Sequence, residues 1–216
     1  MVEVKRLEKE FRETKALDSV SLRFDEGQIH GLIGRNGSGK TVLLKLLCGL
    51  MAPTRGEVWI NGEPYRPDRL RESMGILIEA PGFLDARSGL TNLLYLAAIR
   101  GKIGREQVRE TMRSVGLDPD NRKPVRKYSM GMRQRLGIAQ AIMEDPDILL
   151  LDEPTNGLDR QGVEELRTLL LGLRARGKII VLASHSREDI NLLCDVVTEL
   201  ESGRIVRSGK MGGNNR

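Results

Sequence analysis

Gly34-Arg35-Asn36-Gly37-Ser38-Gly39-Lys40-Thr41 fits the pattern G-x-x-x-x-G-K-[ST]. The flanks fit as well. Gln28–Ile33 (QIHGLI) reads as a strand, and Thr41–Leu50 (TVLLKLLCGL) reads as a buried helix. Glycines permit a tight turn whose backbone N–H groups point inward at phosphate oxygens. The opening of the next helix, Val42 included, adds its positive dipole end. Lys40 is suited to reach β- and γ-phosphates, and the Thr41 hydroxyl to ligate magnesium. The bland alternative is a glycine-rich turn with a chance lysine. With every required position filled between a strand and a helix, binding of a nucleoside triphosphate is the better reading.

Composition sets wider bounds. A chain of 216 residues suits one compact domain, with room for an inserted subdomain. Its 30% charged and 39% apolar residues are those of a soluble globular protein, and 3% aromatics argue against a base-stacking nucleic-acid platform. No nucleic-acid partner is expected. The net charge of +5 suits an anionic ligand or the negative inner face of a membrane. The opening MVEVKRLEKEF lacks the apolar run of a secretory signal. The longest apolar stretch, Val42–Ala52, contains Lys45 and falls short of the ~20 residues that span a bilayer. Cys48 and Cys194 are isolated in sequence and read as reduced core residues. A cytoplasmic location is expected.

Strand signals come first, at Val2–Leu7, Ser19–Phe24, Glu57–Ile60 (ending in the turn pair Asn61-Gly62) and Gly75–Ile78. Helical patterns follow at Thr91–Arg100, Arg105–Val115 and Gly131–Glu144, with a polar, basic loop at Asp118–Lys127. Alternation then resumes: strand Ile148–Leu151, amphipathic helix Gln161–Ala175, strand Lys178–Ala183, and a hairpin of Val196–Glu199 with Arg204–Arg207. The final KMGGNNR is expected to be disordered. This pattern predicts an α/β parallel-sheet core with a helical insertion of about sixty residues.

Ile148–Pro154 (ILLLDEP) is the second anchor. Four apolar residues predict a central strand buried on both faces, with two carboxylates at its carboxyl end, where α/β sheets bind ligands. Asp152 is placed to hold the magnesium shell, usually through water. Glu153 can orient and polarise a water attacking the γ-phosphate. Phosphoryl transfer asks mostly for positioning and charge neutralisation. Taken alone, two acids at a strand end could be an ordinary polar turn; after the glycine-rich loop they are not.

The segment YSMGMRQR at Tyr128–Arg135 resembles the LSGGQ signature of the nucleotide-binding subunits of ATP-binding cassette (ABC) transporters, and the resemblance covers nearly the whole chain. It implies a P-loop NTPase fold: a RecA-like core with a mainly parallel sheet, an N-terminal antiparallel β-subdomain and an inserted α-helical subdomain. On that plan the whole of 1–216 is one ABC ATPase domain. Residues 1–82 and 144–211 form the core with its β-subdomain, 83–143 the helical subdomain, and 212–216 a disordered tail. It further implies ATP and Mg2+ as ligands, and a head-to-tail pair of ATP-binding subunits. Ser129, Gly131 and Met132 then act on the γ-phosphate held by the other subunit. Met130 and Met132 replace a small residue and the second glycine of the signature, while Ser129 and Gly131 are kept.

Other positions follow from the same resemblance. Phe11 matches the aromatic that stacks on adenine, with core packing as its alternative. Asp159, in Asn156-Gly157-Leu158-Asp159, matches the residue that communicates across the dimer. His185 matches the histidine that contacts the γ-phosphate and stabilises Glu153 and its water. His30 reads as structural.

One departure narrows the family. Most members have glutamine after the strand at Gly75–Ile78, where this chain has Glu79, in ILIEAPGF. A carboxylate can accept from water or approach magnesium, but it cannot donate, and it adds negative charge. Glu79 followed by Pro-Gly and an aromatic resembles the bacitracin-resistance and lantibiotic-immunity branch, whose members handle antimicrobial peptides at bacterial membranes. The resemblance then implies a motor subunit at the cytoplasmic face of the membrane. A separate transmembrane permease would dock around Glu79–Arg87. The competing reading is a single-cassette ABC ATPase of the cell-division or iron–sulfur-assembly type, which moves no substrate.

Overall fold

The computed structural model describes residues 1–65, 74–79 and 82–211, and its strands pair into two sheets. The first sheet is antiparallel throughout. It is built by β1 (Val2–Phe11), β2 (Thr14–Phe24), β4 (Arg55–Ile60) and β5 (Glu63–Pro64), in the order β2-β1-β4-β5. The β1–β2 hairpin is longer than its sequence suggests. Register shifts between Val4 and Glu10 interrupt the strict alternation that marks a strand in sequence.

The second sheet holds six strands in the order β10-β9-β3-β8-β7-β6. These are β3 (Ile29–Ile33), β6 (Met74–Leu77), β7 (Ile148–Asp152), β8 (Ile179–Ala183), β9 (Val196–Glu201) and β10 (Arg204–Lys210). All pairs are parallel except the terminal β9–β10 hairpin. Lys210, expected in the disordered tail, pairs with Val196 and ends β10, while residues 212–216 lie outside the described residues.

Both faces of this sheet are covered. Ile148 and Leu150 of β7 join Ile179, Val181 and Ala183 of β8 in one core, which also takes in α1 (Lys40–Leu47) and the antiparallel sheet. Leu149 and Leu151, with Ile180 and Leu182, face a second core shared with the remaining helices. Those helices are α2 (Gly89–Arg100), α3 (Arg105–Ser114), α4 (Met130–Ile142), α5 (Arg160–Ala175) and α6 (Arg187–Leu193). The expected double burial of the ILLL strand is thus met, one face by each core.

Helices α2, α3 and α4 lie in sequence between β6 and β7, and α4 packs directly on β6. Gly75 makes this possible, because a Cβ there would come within 1.9 Å of the Ala141 carbonyl oxygen of α4. The buried Tyr128 ties α4 to α2 by accepting the Gly89 N–H at 3.2 Å. The polar loop after α3 is more anchored than its composition suggests. Pro124 bridges to Ser88, and Val125, fully buried, opens a short 3-10 turn through Lys127.

Candidate functional site

The carboxyl ends of β3, β8, β7 and β6 converge on one edge of the parallel sheet, and each delivers a residue singled out in sequence. Beyond β3 the loop Gly34–Gly39 turns into α1. Gly34 has φ 146° and Gly39 has φ 108°. A Cβ at Gly34 would lie 2.2 Å from the Leu200 carbonyl oxygen, and one at Gly39 would lie 2.8 Å from that of Ala16. Glycine is therefore required twice over, by torsion and by space. The loop is clamped from outside as well: the Gly203 N–H donates to the Ser38 carbonyl at 3.0 Å.

Lys40 is buried, and its ammonium curls back over the loop, donating to the carbonyls of Gly34 at 2.7 Å and Arg35 at 3.2 Å. Thr41, one residue into α1, donates its hydroxyl to Asp152 Oδ2 at 2.6 Å across the gap to β7. Burial holds the Asp152 carboxyl above the usual carboxylate range. The Thr41 hydrogen bond opposes that, and the negative charges of Glu153 and Glu79 add to it. The donors suit magnesium, a hard cation that takes oxygen ligands. No group of three His, Cys, Asp or Glu residues that could hold a metal by itself exists among the described residues. A cation at Thr41 and Asp152 would thus draw its other ligands from phosphate oxygens and water.

Glu153 follows β7 with φ 49°, left-handed for a residue other than glycine, and its N–H is fixed to the Ala183 carbonyl at 2.8 Å. Such a torsion costs on the order of 1 kcal/mol and is kept where the surroundings enforce it. Its Oε2 meets His185 Nδ1 at 2.8 Å, so the residue delivered by β8 touches the residue delivered by β7. Glu79, past the end of β6, is also left-handed at φ 60°. Its side chain is exposed, and its Oε1 accepts a hydrogen bond from Lys45 Nζ at 2.6 Å.

A cleft of about 560 Å3 lies beside these groups, while Gly34, Arg35 and His185 line a neighbouring cavity. Asn36 through Val42 line the cleft, with Glu79, Asp152, Glu153 and Ala16. Met130, Gln134 and Asn156 line it as well. Gln134 was not singled out in sequence. Its amide donates to the carbonyls of Glu153 at 3.3 Å and Pro154 at 2.9 Å, which ties α4 to the loop carrying Glu153.

Other expected residues stand apart from the cleft wall. Ser129 is exposed and caps α4, its Oγ accepting the Met132 N–H at 3.2 Å. Gly131 lies against the Gly157 carbonyl, where a Cβ would approach to 2.8 Å. Asp159 is also exposed and caps α5, accepting the Gly162 N–H at 3.0 Å. Phe11 sits at the tip of the β1–β2 hairpin, 42% exposed, so core packing is not its role. His30, by contrast, is buried. Its Nε2 accepts the Asp25 N–H at 3.0 Å, its ring packs edge-on against Phe24, and burial holds its pKa below the ordinary value.

The family model described as ABC transporter matches residues 17–156. The chain belongs to the ABC transporter family. Over 212 residues this ABC chain is 44% identical to an uncharacterized ABC transporter ATP-binding protein, YybJ, of Bacillus subtilis (strain 168), covering 98% of this chain and 97% of that one. It is 39% identical over 209 residues to the bacitracin transport ATP-binding protein BcrA of Enterococcus faecalis, covering 95% of this chain and 68% of that one. Among solved structures it resembles the dimeric bacterial ABC transporter cassette MJ0796, with a TM-score of 0.91, 26% identity, and 99% and 100% of the two chains covered. The P-loop NTPase fold expected from sequence is that of this ABC cassette.

Proposed function

We propose that this ABC subunit binds Mg-ATP in the Gly34–Thr41 cleft, hydrolyses it, and drives an exporter of antimicrobial peptides at the cytoplasmic face of a bacterial membrane. One observation carries the catalytic part: Glu153 and His185 meet at 2.8 Å beside a cleft walled by the phosphate loop and Asp152. The backbone N–H groups of the loop and the Lys40 ammonium bind the phosphates. Thr41 and Asp152 would hold magnesium, which when bound neutralises charge on the β- and γ-phosphates. Glu153 accepts a hydrogen bond from the attacking water and aims it at the γ-phosphate. His185 fixes the Glu153 rotamer. Phe11, exposed at the tip of the β1–β2 hairpin, would stack on adenine.

Ser129, Gly131, Met132 and Asp159 act on the nucleotide of a second subunit. That reading is supported by the exposure of Ser129 and Asp159 in one chain and by the dimeric cassette to which the fold is similar. We further infer the division into a core of 1–82 and 144–211 and a helical subdomain of 83–143. A separate transmembrane permease would dock near Glu79–Arg87, of which residues 80–81 lie outside the described residues. No helix among the described residues is long and apolar enough to cross a membrane, which fits a motor that borrows its membrane path.

The cargo class rests on the Glu79 segment and on the likeness to BcrA, a bacitracin transport protein. The test joins two assays. The chain co-purified with its membrane partner should release phosphate from Mg-ATP, and deleting the gene should sensitise cells to bacitracin or a lantibiotic. Hydrolysis without any peptide phenotype would remove the cargo assignment and keep the motor.

A further inference from the structure

Lys45 belongs to α1, the helix that opens with Lys40 and Thr41. Thr41 and Lys45 are four residues apart, so they share one face of the helix, one turn above the other. Thr41 points its hydroxyl at Asp152, and Lys45 points its ammonium at Glu79, at 2.6 Å in each case. The same helix face therefore services both carboxylates. Without Lys45 the cleft would present Asp152, Glu153 and Glu79 to an incoming triphosphate, with Lys40 as the cation among the lining residues.

We propose that Lys45 is the positioning residue for Glu79: its ammonium holds the carboxylate and cancels its charge, so that Glu79 can occupy a place otherwise suited to a neutral amide. The pair is too exposed to matter much for folding, since Glu79 is 64% and Lys45 26% exposed. Its effect falls on the nucleotide instead. An uncompensated carboxylate beside the phosphates repels them, and an unheld Glu79 samples many rotamers. The left-handed backbone at Glu79, φ 60°, directs the side chain before Lys45 captures it. The inference rests on the Mg-ATP reading above.

A double-mutant cycle tests it, with Lys45→Met, Glu79→Gln and the combined variant made in the full chain and co-purified with its membrane partner. Methionine keeps the length and apolar stem of lysine, and Lys45→Arg serves as a variant that keeps the charge. Mg-ATP affinity is read by displacement of a fluorescent ATP analogue, hydrolysis by phosphate release, and folding by the thermal midpoint. Lys45→Met should weaken Mg-ATP binding on the order of three- to tenfold, from one uncompensated charge near the phosphates, with the midpoint hardly moved. Glu79→Gln sets the background of the cycle, and the combined variant should fall within about twofold of it in Mg-ATP affinity, since no charge remains to compensate. Lys45→Arg should behave as wild type.

A Lys45→Met defect of equal size on the Glu79→Gln background would overturn the proposal, because Lys45 would then act on nucleotide or fold directly. So would an unaltered Lys45→Met. A wild-type chain that binds no Mg-ATP would overturn the nucleotide reading itself, whereas wild-type binding with an uncoupled pair would overturn this inference alone.

Discussion

Glu153→Gln separates catalysis from everything else the residue does. The backbone contacts survive the change: the N–H to Ala183 and the carbonyl that accepts from Gln134 belong to the main chain. The side chain loses only its charge and the charged form of its contact with His185, whose side chain is 69% exposed. A contact that open to water contributes at most about 1 kcal/mol, so the thermal midpoint should shift by little. Catalysis should suffer far more. A positioned base is worth roughly 10²–10⁴ in rate, or about 2.7–5.5 kcal/mol of barrier, and an amide cannot take up the water's proton. The expected outcome is phosphate release slowed at least about 100-fold, with Mg-ATP affinity within about threefold of wild type. Because hydrolysis would no longer separate the subunits, ATP should build up a dimer visible by light scattering in the complex. Turnover within about tenfold of wild type would refute the assignment of Glu153 as the water-activating group.

Lys40→Ala removes a buried ammonium from the phosphate loop and should cut hydrolysis by roughly 100-fold or more with a large loss of ATP affinity, measured by nucleotide titration. Ser129→Arg should leave the nucleotide affinity of the isolated chain within about twofold but abolish turnover, at a cost of about 1 kcal/mol from the lost cap of α4. Asp189→Ala should destabilise the fold by about 2–3 kcal/mol in urea, because the buried Arg167 guanidinium loses the acceptor of its Nε and Nη2, at 2.9 and 2.6 Å, and keeps only the Nη1 contacts to Glu164 and Glu188. His30, held neutral by burial, binds its proton in the unfolded chain first. Its contribution is therefore whole above the ordinary value of 6.5 and is lost as pH falls from there toward the lower folded value. The drop in thermal midpoint over that window should be smaller in His30→Gln.

The parts of this molecule that were legible in sequence are those with a local cause. The phosphate loop shows because glycine alone fits Gly34 and Gly39, and β7 shows because a strand buried on both faces must be apolar throughout. Helix ends at Gly101 and Gly116 show because both take left-handed torsions. Helix α6 was missed, since seven residues, REDINLL, are too few to display a helical period. What holds α6 is distant: Asp189 accepts from Arg167 of α5 and from Thr155 beside the Glu153 loop. The contacts of Gln134 with Pro154, twenty residues away, and of Lys45 with Glu79, thirty-four away, likewise leave no periodic trace. Each residue was visible, but the pairing that gives it meaning exists only after the sheet order is set.

That order also explains why the site is built as it is. In the six-stranded sheet β3 lies next to β8, β8 next to β7, and β7 next to β6, so neighbouring strands hand over neighbouring groups at one edge. Glu153 can lean on His185 because β7 and β8 pair in register, with Asp152 opposite Ala183. Glu79 and Asp152 come from β6 and β7, which also pair in parallel, and this brings a third carboxylate toward Asp152 and Glu153. A fold that concentrates acids at one edge must concentrate cations there too. Helix α1 supplies two, with Lys40 curled over the loop and Lys45 on Glu79. Met130, which lines the cleft, is 68% exposed, and neither Ser129 nor Asp159 reaches the wall. On the proposed reading, Lys40 and the loop hold the phosphates of one nucleotide, and the two exposed helix caps are left to meet the nucleotide of a second subunit.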